Sequence, residues 1–354
     1  MLVPRSIRII LLLSITILSS RLYADFSLKY QGKEYKSNTI SDNGIEYVKL
    51  SDLLAPSKVK PIYNRSIHKI SFSSQKSTFI LSPISRGIYA GGEIRMFNDP
   101  LIVKKGVFYI SRPAANFIGP YLSYEIVKPV IFIDPGHGGD GEDGLGAEGT
   151  LDGKKVYEKE LVLSFARYLG DILEELGYEI KYMRENNETK LSLRERIDKA
   201  NLSGAKVFVS IHANSSATDK EAKGVDIFYM SEEAEDSYSK IVAQEENKVF
   251  KGQKADDDAG KIINSLLVNG HIKEGARLAS HISSKLPEKV MNRGVKKAPF
   301  AVLSGPTMPS VLIETGFMSN AEDLKRLSSS SEMKSLASKI ASGITSYLNA
   351  YEEN

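Results

Sequence analysis

The chain has 354 residues, of which 42% are hydrophobic and 26% are charged. This length and composition argue against a disordered chain and leave room for about two domains with their own cores. The formal net charge is only +3, and the sequence contains no cysteine. Disulfides, a thiolate nucleophile and cysteine-ligated metal are therefore excluded, and only His, Asp or Glu could hold a metal ion.

Residues 1–24, MLVPRSIRIILLLSITILSSRLYA, predict a secretory signal peptide. Arg5 and Arg8 precede an apolar run, and small and polar residues follow it as far as Ala24. This order of charge, apolar core and small residues is typical of such peptides, and we expect cleavage near Ala24. The apolar run is too short to span a bilayer comfortably, and an uncleaved N-terminal anchor is the alternative.

Cleavage of this segment would remove three arginines and no acidic residue, which leaves 44 basic and 44 acidic side chains. A neutral mature chain gives no electrostatic argument for nucleic acid as a partner. We therefore expect an exported protein of the periplasm or the extracellular cell envelope, with no transmembrane helix after signal cleavage.

Residues 25–127 predict a small β-rich accessory domain made of short strands separated by turn residues. The stretch NGIEYVKLSDLL, residues 43–54, is similar to KGVFYISRPAANFI, residues 105–118, and each predicts a turn, a strand and a short helix. This pair resembles the duplicated pattern of the domain named after the N-terminal domain of copper amine oxidases, a non-catalytic extension of cell-wall enzymes; coincidence is the alternative. His68 is the one histidine here, and we expect a structural or surface role for it.

Residues 128–354 predict an α/β domain, because buried apolar strands alternate here with amphipathic helices. The predicted strands include VIFIDPG, YEIKYMR, KVFVSIHAN, VDIFYM and SVLIETG, and the predicted helices include EKELVLSFARYLGDILEELG, SLRERIDKANLSG and KEGARLASHISSKL. Strands without a polar face need cover on both sides. We therefore expect a mixed sheet covered by helices on both faces, preceded by the small mainly-β domain.

Three polar residues follow apolar strands at the ends where such sheets gather reactive groups. His137 lies in DPGHGG, whose glycines permit close backbone approaches. His212 lies near the end of VFVSIHAN, and Glu314 ends SVLIE. Either histidine alone could be an ordinary capping or hydrogen-bonded residue. Two imidazoles and one carboxylate together would make a hydrolytic zinc site with a position left open for water.

The carboxylate ligand has to be chosen among several acids. Those near His137 in the sequence are Glu142, Asp143, Glu148, Glu158 and Glu160. On the predicted helix that starts at Glu158, this residue shares a face with Leu161, Phe165, Ile172 and Leu176 and therefore points toward the sheet. A carboxylate on an apolar face is costly unless it is paired or bound to metal, which favours Glu158 as the third ligand. The alternative is an acid that interacts only with the helix dipole.

Glu314 follows an apolar strand that offers it no exposed face. If it faces the metal, its carboxylate suits a general base that deprotonates the attacking water and then protonates the leaving amine. A carboxylate that caps backbone amides is the structural alternative.

Four blocks, DPGHGG, EKELVL, SIHAN and AVLSGPTMPSVLIETGFMSN, resemble in order and spacing the zinc-dependent N-acetylmuramoyl-L-alanine amidases of the amidase 3 family. The resemblance covers about residues 130 to 350. It implies one Zn²⁺ per chain held by His137, Glu158 and His212, with Glu314 as the catalytic carboxylate. The turn GAEGTLDGKKVYEKE is longer than is common in the family, so we expect the loop before the ligand glutamate to differ in shape.

An acidic insertion at about residues 231–270 follows VDIFYM and predicts a helix. A solvated helical excursion is one interpretation. Yet Tyr238, Val242 and Val249 form an apolar stripe, and the insertion resembles that of division-associated amidases. There a helix glutamate reaches the zinc until an activator protein moves the helix. Alignment of QEEN favours Glu246 as this inhibitory residue, whereas helical phase favours Glu245.

The sequence therefore predicts a secreted zinc amidase that cleaves peptidoglycan between N-acetylmuramic acid and L-alanine of the stem peptide, in cell separation or wall turnover. One rival is a zinc peptidase that acts within the stem peptide. Another is a catalytically silent wall-binding or activator protein. His271 and His281 lie outside the four blocks, and we expect both to be structural or surface residues.

Overall fold

A computed structural model describes residues 25–74, 77–139, 142–248, 260–287 and 290–351. The predicted signal peptide, residues 1–24, lies outside these residues, as does Val249 of the predicted apolar stripe. Each helix within the described ranges is too short or too polar to cross a membrane.

The N-terminal part is built from antiparallel strands and two short helices. Its elements are β1 Asp25–Tyr30, β2 Lys33–Asp42, β3 Ile45–Lys49, α1 Leu50–Leu54, β4 Ile62–Asn64, β5 Lys69–Ser73, β6 Thr78–Leu81, β7 Gly87–Ala90, β8 Glu93–Met96, β9 Leu101–Lys104, β10 Val107–Ser111, α2 Arg112–Ile118 and β11 Glu125–Val127. One sheet has the order β11-β1-β2-β3-β10-β9, and the other has the order β4-β5-β6-β7-β8. A shared apolar cluster packs the sheets and helices together.

The two similar stretches of this part fold alike, each as a strand that runs straight into a helix. They are β3 with α1 and β10 with α2, and the two strands pair so that Val48 lies opposite Ile110. Arg112 at the start of α2 forms a buried ion pair with Glu46 of β3. Both charges are nearly inaccessible to solvent, so each depends on the other for its compensation.

The C-terminal part contains one mixed six-stranded sheet with helices on both faces. Its elements are β12 Val130–Pro135, α3 Glu142–Leu145, β13 Glu148–Leu151, β14 Lys154–Tyr157, α4 Glu158–Glu175, β15 Glu179–Tyr182, α5 Leu193–Leu202, β16 Val207–Asn214, β17 Val225–Met230, α6 Ser237–Asn247, α7 Gly260–Ser283, β18 Asn292–Ala298, β19 Ser310–Phe317, α8 Ala321–Leu327 and α9 Ser330–Tyr351. The strand order is β15-β12-β16-β19-β17-β18, and β17 runs antiparallel to β19. The predicted fold class is confirmed.

Alternation along the strands sorts side chains between the two faces of this sheet. One face carries mainly apolar residues such as Ile133, Val209 and Ile313, which pack against α4, α7 and α9. The other face carries an aromatic and aliphatic layer that includes Phe132, Phe208, Leu312 and Phe228. The next inward-facing residue on each of these strands, toward the carboxyl end of the parallel strands, is polar. These four residues are Asp134, Ser210, Glu314 and Asp226.

The long turn before α4 contains structure that the sequence did not reveal. The strands β13 and β14 form an antiparallel hairpin around Asp152 and Gly153, both of which have positive φ. An Asp-Gly pair with two left-handed residues is a favoured two-residue hairpin turn. The extra length of this turn is therefore a hairpin, and it delivers the chain directly to Glu158.

The buried face of α4 differs from the predicted one. Glu158 and Phe165 are buried, but the remaining buried positions include Val162, Ala166 and Leu169. Leu161, Ile172 and Leu176, which the sequence placed on the central stripe, lie at its margin and are only partly buried. The predicted stripe is therefore displaced from the observed buried face by about one residue. The cause is that large apolar side chains also flank this face on both sides.

Candidate active site and metal centre

His137 stands on a loop whose backbone is fixed by close packing. It follows β12 with a left-handed φ of 59°, and its side chain is 6% exposed. Gly136 precedes it, and a Cβ at that position would lie 2.3 Å from Cε1 of His212. Only glycine therefore allows the loop to bring the two imidazoles to a ring separation of 5.0 Å.

Arg184 ties this loop to the helix that carries Glu158. Its Nε donates to the carbonyl oxygen of Pro135 at 3.0 Å, and its Nη2 donates to the carbonyl oxygens of Gly136 at 2.7 Å and Lys159 at 2.8 Å. Burial lowers the pKa of the Arg184 guanidinium to about 10, which leaves it charged at neutral pH. These backbone carbonyls accept hydrogen bonds from the buried cation, and the nearby carboxylates of Asp134 and Glu158 also stabilise its charge.

Arg196 holds the same loop from α5. Its Nη2 donates to the carbonyl oxygen of His137 at 2.6 Å, and its Nη1 donates to Oδ1 of buried Asp134 at 2.5 Å. Arg184 and Arg196 were not among the predicted site residues. A signal was present for Arg184, which is the last residue of the predicted strand YEIKYMR and so lies, like His137, at the end of a strand.

Glu158 is the first residue of α4, and its side chain is 2% exposed. Its Oε2 accepts a hydrogen bond from the backbone N–H of Ala147 at 2.8 Å, and its Oε1 accepts one from Ala213 at 2.9 Å. The carboxylate lies 3.1 Å from Nε2 of His137 and 3.2 Å from Nδ1 of His212. Burial alone would raise the pKa of Glu158, but the two imidazoles outweigh burial and lower it.

Glu246 reaches the same place from α6. Its Oε2 lies 2.9 Å from Nδ1 of His212 and 3.6 Å from Nε2 of His137, and its side chain is 16% exposed. Glu246 shares the inner face of the helix with buried Val242 and Ala243. Glu245 points away, with a side chain that is 57% exposed and an ion pair to Lys248.

Both ends of α6 are fixed by hydrogen bonds. Asp236 caps the N-terminus by accepting from the backbone N–H of Ser239 at 2.7 Å. Asn247 holds the other end, since its side chain donates to the carbonyl oxygen of Pro299 and accepts from the backbone N–H of Ala301, both at 2.8 Å. The helix is therefore held over the site with a defined rotation.

Glu314 lies beside this group on β19. It is fully buried and is the register partner of His212 on one side and of Asp226 on the other. Its two carboxylate oxygens have no hydrogen-bond partner among the described residues. Burial raises the pKa of Glu314 well above its ordinary value, and the nearby Glu246 carboxylate raises it further.

The donor atoms of four residues form a set that fits a divalent cation. One ligand atom from each of His137, Glu158, His212 and Glu246 lies within 4.8 Å of all the others. Gly146 packs so closely that a Cβ there would lie 2.6 Å from Oε2 of Glu158, so the donors sit in a tight cradle. Carboxylates that are buried this close together are costly unless a positive charge compensates them. Imidazole and carboxylate groups are common ligands of zinc.

The remaining histidines lie elsewhere. His68 is at an exposed turn with its Nδ1 3.3 Å from the hydroxyl of Tyr63. His281 has its Nδ1 3.1 Å from the hydroxyl of Ser346. His271 lies on α7, outside the metal-compatible group.

The fold and site together define a class of protein, a hydrolase built on a mixed α/β sheet with a centre able to hold a metal. The comparisons identify the family within this class. The sequence model of the N-acetylmuramoyl-L-alanine amidase family matches residues 131–346. The chain belongs to this family and is a peptidoglycan amidase.

Two relatives and one solved structure are similar to this chain over part of its length. The N-acetylmuramoyl-L-alanine amidase AmiA of Escherichia coli K12 is 32% identical over 233 residues, which cover 64% of this chain and 78% of that protein. AmiC of Neisseria meningitidis serogroup B is 32% identical over 229 residues, which cover 63% of this chain and 53% of that protein. The crystal structure of an N-acetylmuramoyl-L-alanine amidase from Clostridium difficile 630 is 28% identical, covers 63% of this chain and 98% of that one, and has a TM-score of 0.47.

Proposed function

We propose that this chain is an exported, zinc-dependent N-acetylmuramoyl-L-alanine amidase whose metal ligands are His137, Glu158 and His212. The bond it cleaves is the amide between N-acetylmuramic acid and L-alanine of the peptidoglycan stem peptide. The observation that carries the proposal is the buried set of donor atoms within 4.8 Å of one another. Two imidazoles and one carboxylate are the ligands of many hydrolytic zinc sites.

The chain's own residues supply the proton transfer in this proposal. Glu314, fully buried beside His212, takes the proton of the attacking water and gives it to the leaving amine of L-alanine. Zinc in the site supplies Lewis acidity toward the amide carbonyl and the water. The backbone N–H groups of Ala147 and Ala213 hold Glu158, so this ligand keeps its orientation during the reaction.

We also propose that α6 inhibits the resting enzyme through Glu246. The carboxylate of Glu246 approaches both histidines, so it would compete with water and substrate for a metal ion held there. An activator protein that displaces α6 would open the site. Glu246 is the inhibitory residue in this proposal. Glu245 is not, because it is exposed and paired with Lys248.

The remaining parts of the proposal concern the rest of the chain. Residues 1–24 direct export to the periplasm or the extracellular cell envelope. Residues 25–127 form an accessory domain of the type named after copper amine oxidases, and residues 128–354 form the catalytic domain. The enzyme then acts in cell separation or wall turnover.

Product analysis with purified peptidoglycan tests the central proposal. We expect residues 25–354 to contain one zinc per chain and to release intact stem peptides with a free N-terminal L-alanine. Glu314→Gln keeps the size of the side chain but removes the base, so kcat should fall by about 10²- to 10⁴-fold while the zinc content is retained.

Two results would contradict the proposal in different ways. Release of stem-peptide fragments from a glycan that keeps its L-alanine would indicate a zinc peptidase. Absence of zinc and of released peptide, for the folded chain and for Glu246→Gln alike, would indicate a wall-binding or activator protein without catalytic activity.

A further inference from the structure

A β-bulge changes the direction of two basic side chains on the edge strand β18. Asn292 pairs with Val225 and Val295 pairs with Ile227, so two residues of β18 lie opposite Asp226 alone. These two residues are Arg293 and Gly294, and Gly294 has a left-handed φ of 91°. On a regular strand, Arg293 and Lys296 would point to opposite faces of the sheet. The bulge places both on the face of Asp226.

These residues form a buried charge cluster with an excess of positive charge. Nε of Arg293 donates to Oδ2 of Asp226 at 2.9 Å, and Nζ of Lys296 lies 4.0 Å from Oδ1. Asp226 is fully buried, whereas the side chains of Arg293 and Lys296 are 22% and 18% exposed. Asp236 at the N-terminus of α6 also interacts with both cations while the helix is docked. Once α6 is displaced, Asp226 alone opposes two cations, so the cluster can then accept a further negative charge.

The cluster lies next to the proposed catalytic residue. Asp226 and Glu314 are register partners on adjacent antiparallel strands, which places their Cα atoms about 5 Å apart. The guanidinium of Arg293 also lies 5.1 Å from the ring of Phe317, three residues beyond Glu314 on the same strand. A ligand group on Arg293 would therefore be close to the reacting bond.

Tyr238 of α6 covers this cluster. Its hydroxyl donates to Oδ2 of Asp226 at 2.5 Å and accepts from Nδ2 of Asn214 at 2.9 Å. Its ring lies 4.9 Å from the guanidinium of Arg293 and 5.8 Å from Nζ of Lys296. The same helix carries Glu246, so displacement of α6 would uncover the metal group and the basic cluster together.

We propose that Arg293 and Lys296 form a substrate subsite for a carboxylate of the stem peptide, which Tyr238 covers while α6 is docked. This inference rests on the proposed function, because it concerns the substrate of that site. The carboxylate that fits is the free α-carboxylate of the second residue, D-glutamate linked through its side chain. It lies within about 7 Å of the scissile amide along the peptide, which is the reach of two extended residues. Arginine binds such a group with two parallel hydrogen bonds.

Two soluble muramoyl peptides that differ at this one group test the subsite. One carries the free α-carboxylate on its second residue, and the other carries the α-carboxamide. For residues 25–354 with Glu246→Gln, we expect kcat/KM to be about 10- to 100-fold higher for the carboxylate form. Displacement of α6 affects the rates of both substrates equally, so the ratio of the two kcat/KM values is independent of it.

Arg293→Gln and Lys296→Gln should each lower this ratio by slowing the carboxylate form while leaving the carboxamide form nearly unchanged. Lys297→Gln is the matched control, because Lys297 is next to Lys296 on the strand and faces the other side of the sheet. The ratio of the two kcat/KM values should be the same for this variant as for the parent chain. Arg293→Lys keeps a cation at the position and should retain part of the preference. If Arg293→Gln does not fold, the ratio measured for Arg293→Lys still tests the subsite.

The outcomes separate the two proposals. Turnover of both substrates with a ratio near one, or with a ratio that neither Arg293→Gln nor Lys296→Gln changes, would overturn the subsite and leave these side chains only as partners of Asp226. Turnover of neither substrate by any folded chain would contradict the proposed amidase activity itself.

Discussion

At the scale of single residues, Glu246 is the group whose position most affects access to the site. Its carboxylate is closer to Nδ1 of His212 than the carboxylate of Glu158 is, at 2.9 Å against 3.2 Å. Glu158 is held by two backbone N–H groups, whereas the contacts of Glu246 Oε2 within the described residues are to the two imidazoles only. The contact of Glu246 can therefore be released with its helix, while that of Glu158 belongs to the permanent site.

Glu246→Gln should raise the activity of the full mature chain. Loss of the charged contact weakens docking of α6 by about 1.5–3 kcal/mol, which corresponds to about a 10- to 100-fold larger open fraction if the helix is closed at rest. Stem-peptide release from peptidoglycan measures the effect. Glu245→Gln is the control, because Glu245 pairs only with Lys248 at the surface. Equal activity of the two variants would argue against inhibition by Glu246.

The choice between Glu245 and Glu246 shows where residue-level prediction reached its limit. The predicted apolar stripe included Val249, which lies outside the described residues. That stripe placed Glu245 on the same face of the helix as its apolar residues. The observed inner face is set by Ser239, Val242 and Ala243, of which two are small residues that carry little hydrophobic signal. Helix phase inferred from large apolar residues alone was therefore wrong by one position.

At the scale of elements, Arg184 connects two parts of the chain that bear proposed ligands. Its hydrogen bonds to Gly136 and Lys159 fix the loop of His137 against the first turn of α4, where Glu158 stands. Lysine at this position keeps the charge but cannot make these directed contacts together. Arg184 is therefore a positioning residue for the metal group.

Arg184→Lys should weaken zinc binding by about 10- to 100-fold, as is usual when a group that orients metal ligands is lost. Competition with a chelator measures the dissociation constant, and thermal unfolding of the metal-free chain serves as the second readout. Arg167→Lys is a suitable control, since the Arg167 guanidinium donates to the carbonyl oxygen of Glu185 at an exposed position. Reduced metal-free stability with unchanged zinc affinity would show that Arg184 has only a structural role.

Element prediction succeeded where the hydrophobic pattern was regular and failed where it was interrupted. The strands β12, β16 and β19 are continuous apolar runs, and the sequence located each of them together with its terminal polar residue. The edge strand β18, with the sequence NRGVKKA, was not predicted. Its glycine and basic residues hide the strand, and its bulge removes the alternation by which a strand is recognised.

At the scale of the whole molecule, two separate parts of the chain have cores of different composition. The core of the N-terminal part packs apolar side chains from two antiparallel sheets and contains the buried pair of Glu46 and Arg112. The metal-compatible group belongs entirely to the C-terminal sheet and its helices. Metal binding should therefore raise the free energy of unfolding of the C-terminal part more than that of the N-terminal part.

Removal of zinc with EDTA should lower the unfolding temperature of the C-terminal part. A ligand present at a thousand times its dissociation constant adds about 4 kcal/mol to the free energy of unfolding, which corresponds to a shift of roughly 10 °C for a domain of this size. Calorimetry of the mature chain before and after chelation, with zinc added back as the control, measures the shift. An equal shift of every transition would indicate that the two parts unfold as one unit.

The topology of the sheet also determines where the two parts of the chain join. Only Lys128 and Pro129 separate the end of β11 from the start of β12. The metal-compatible group lies at the far end of β12, about 20 Å away along the strand. The junction is therefore short and distant from this group, so exchange of residues 25–127 for another domain at this point should leave the metal-compatible group in place.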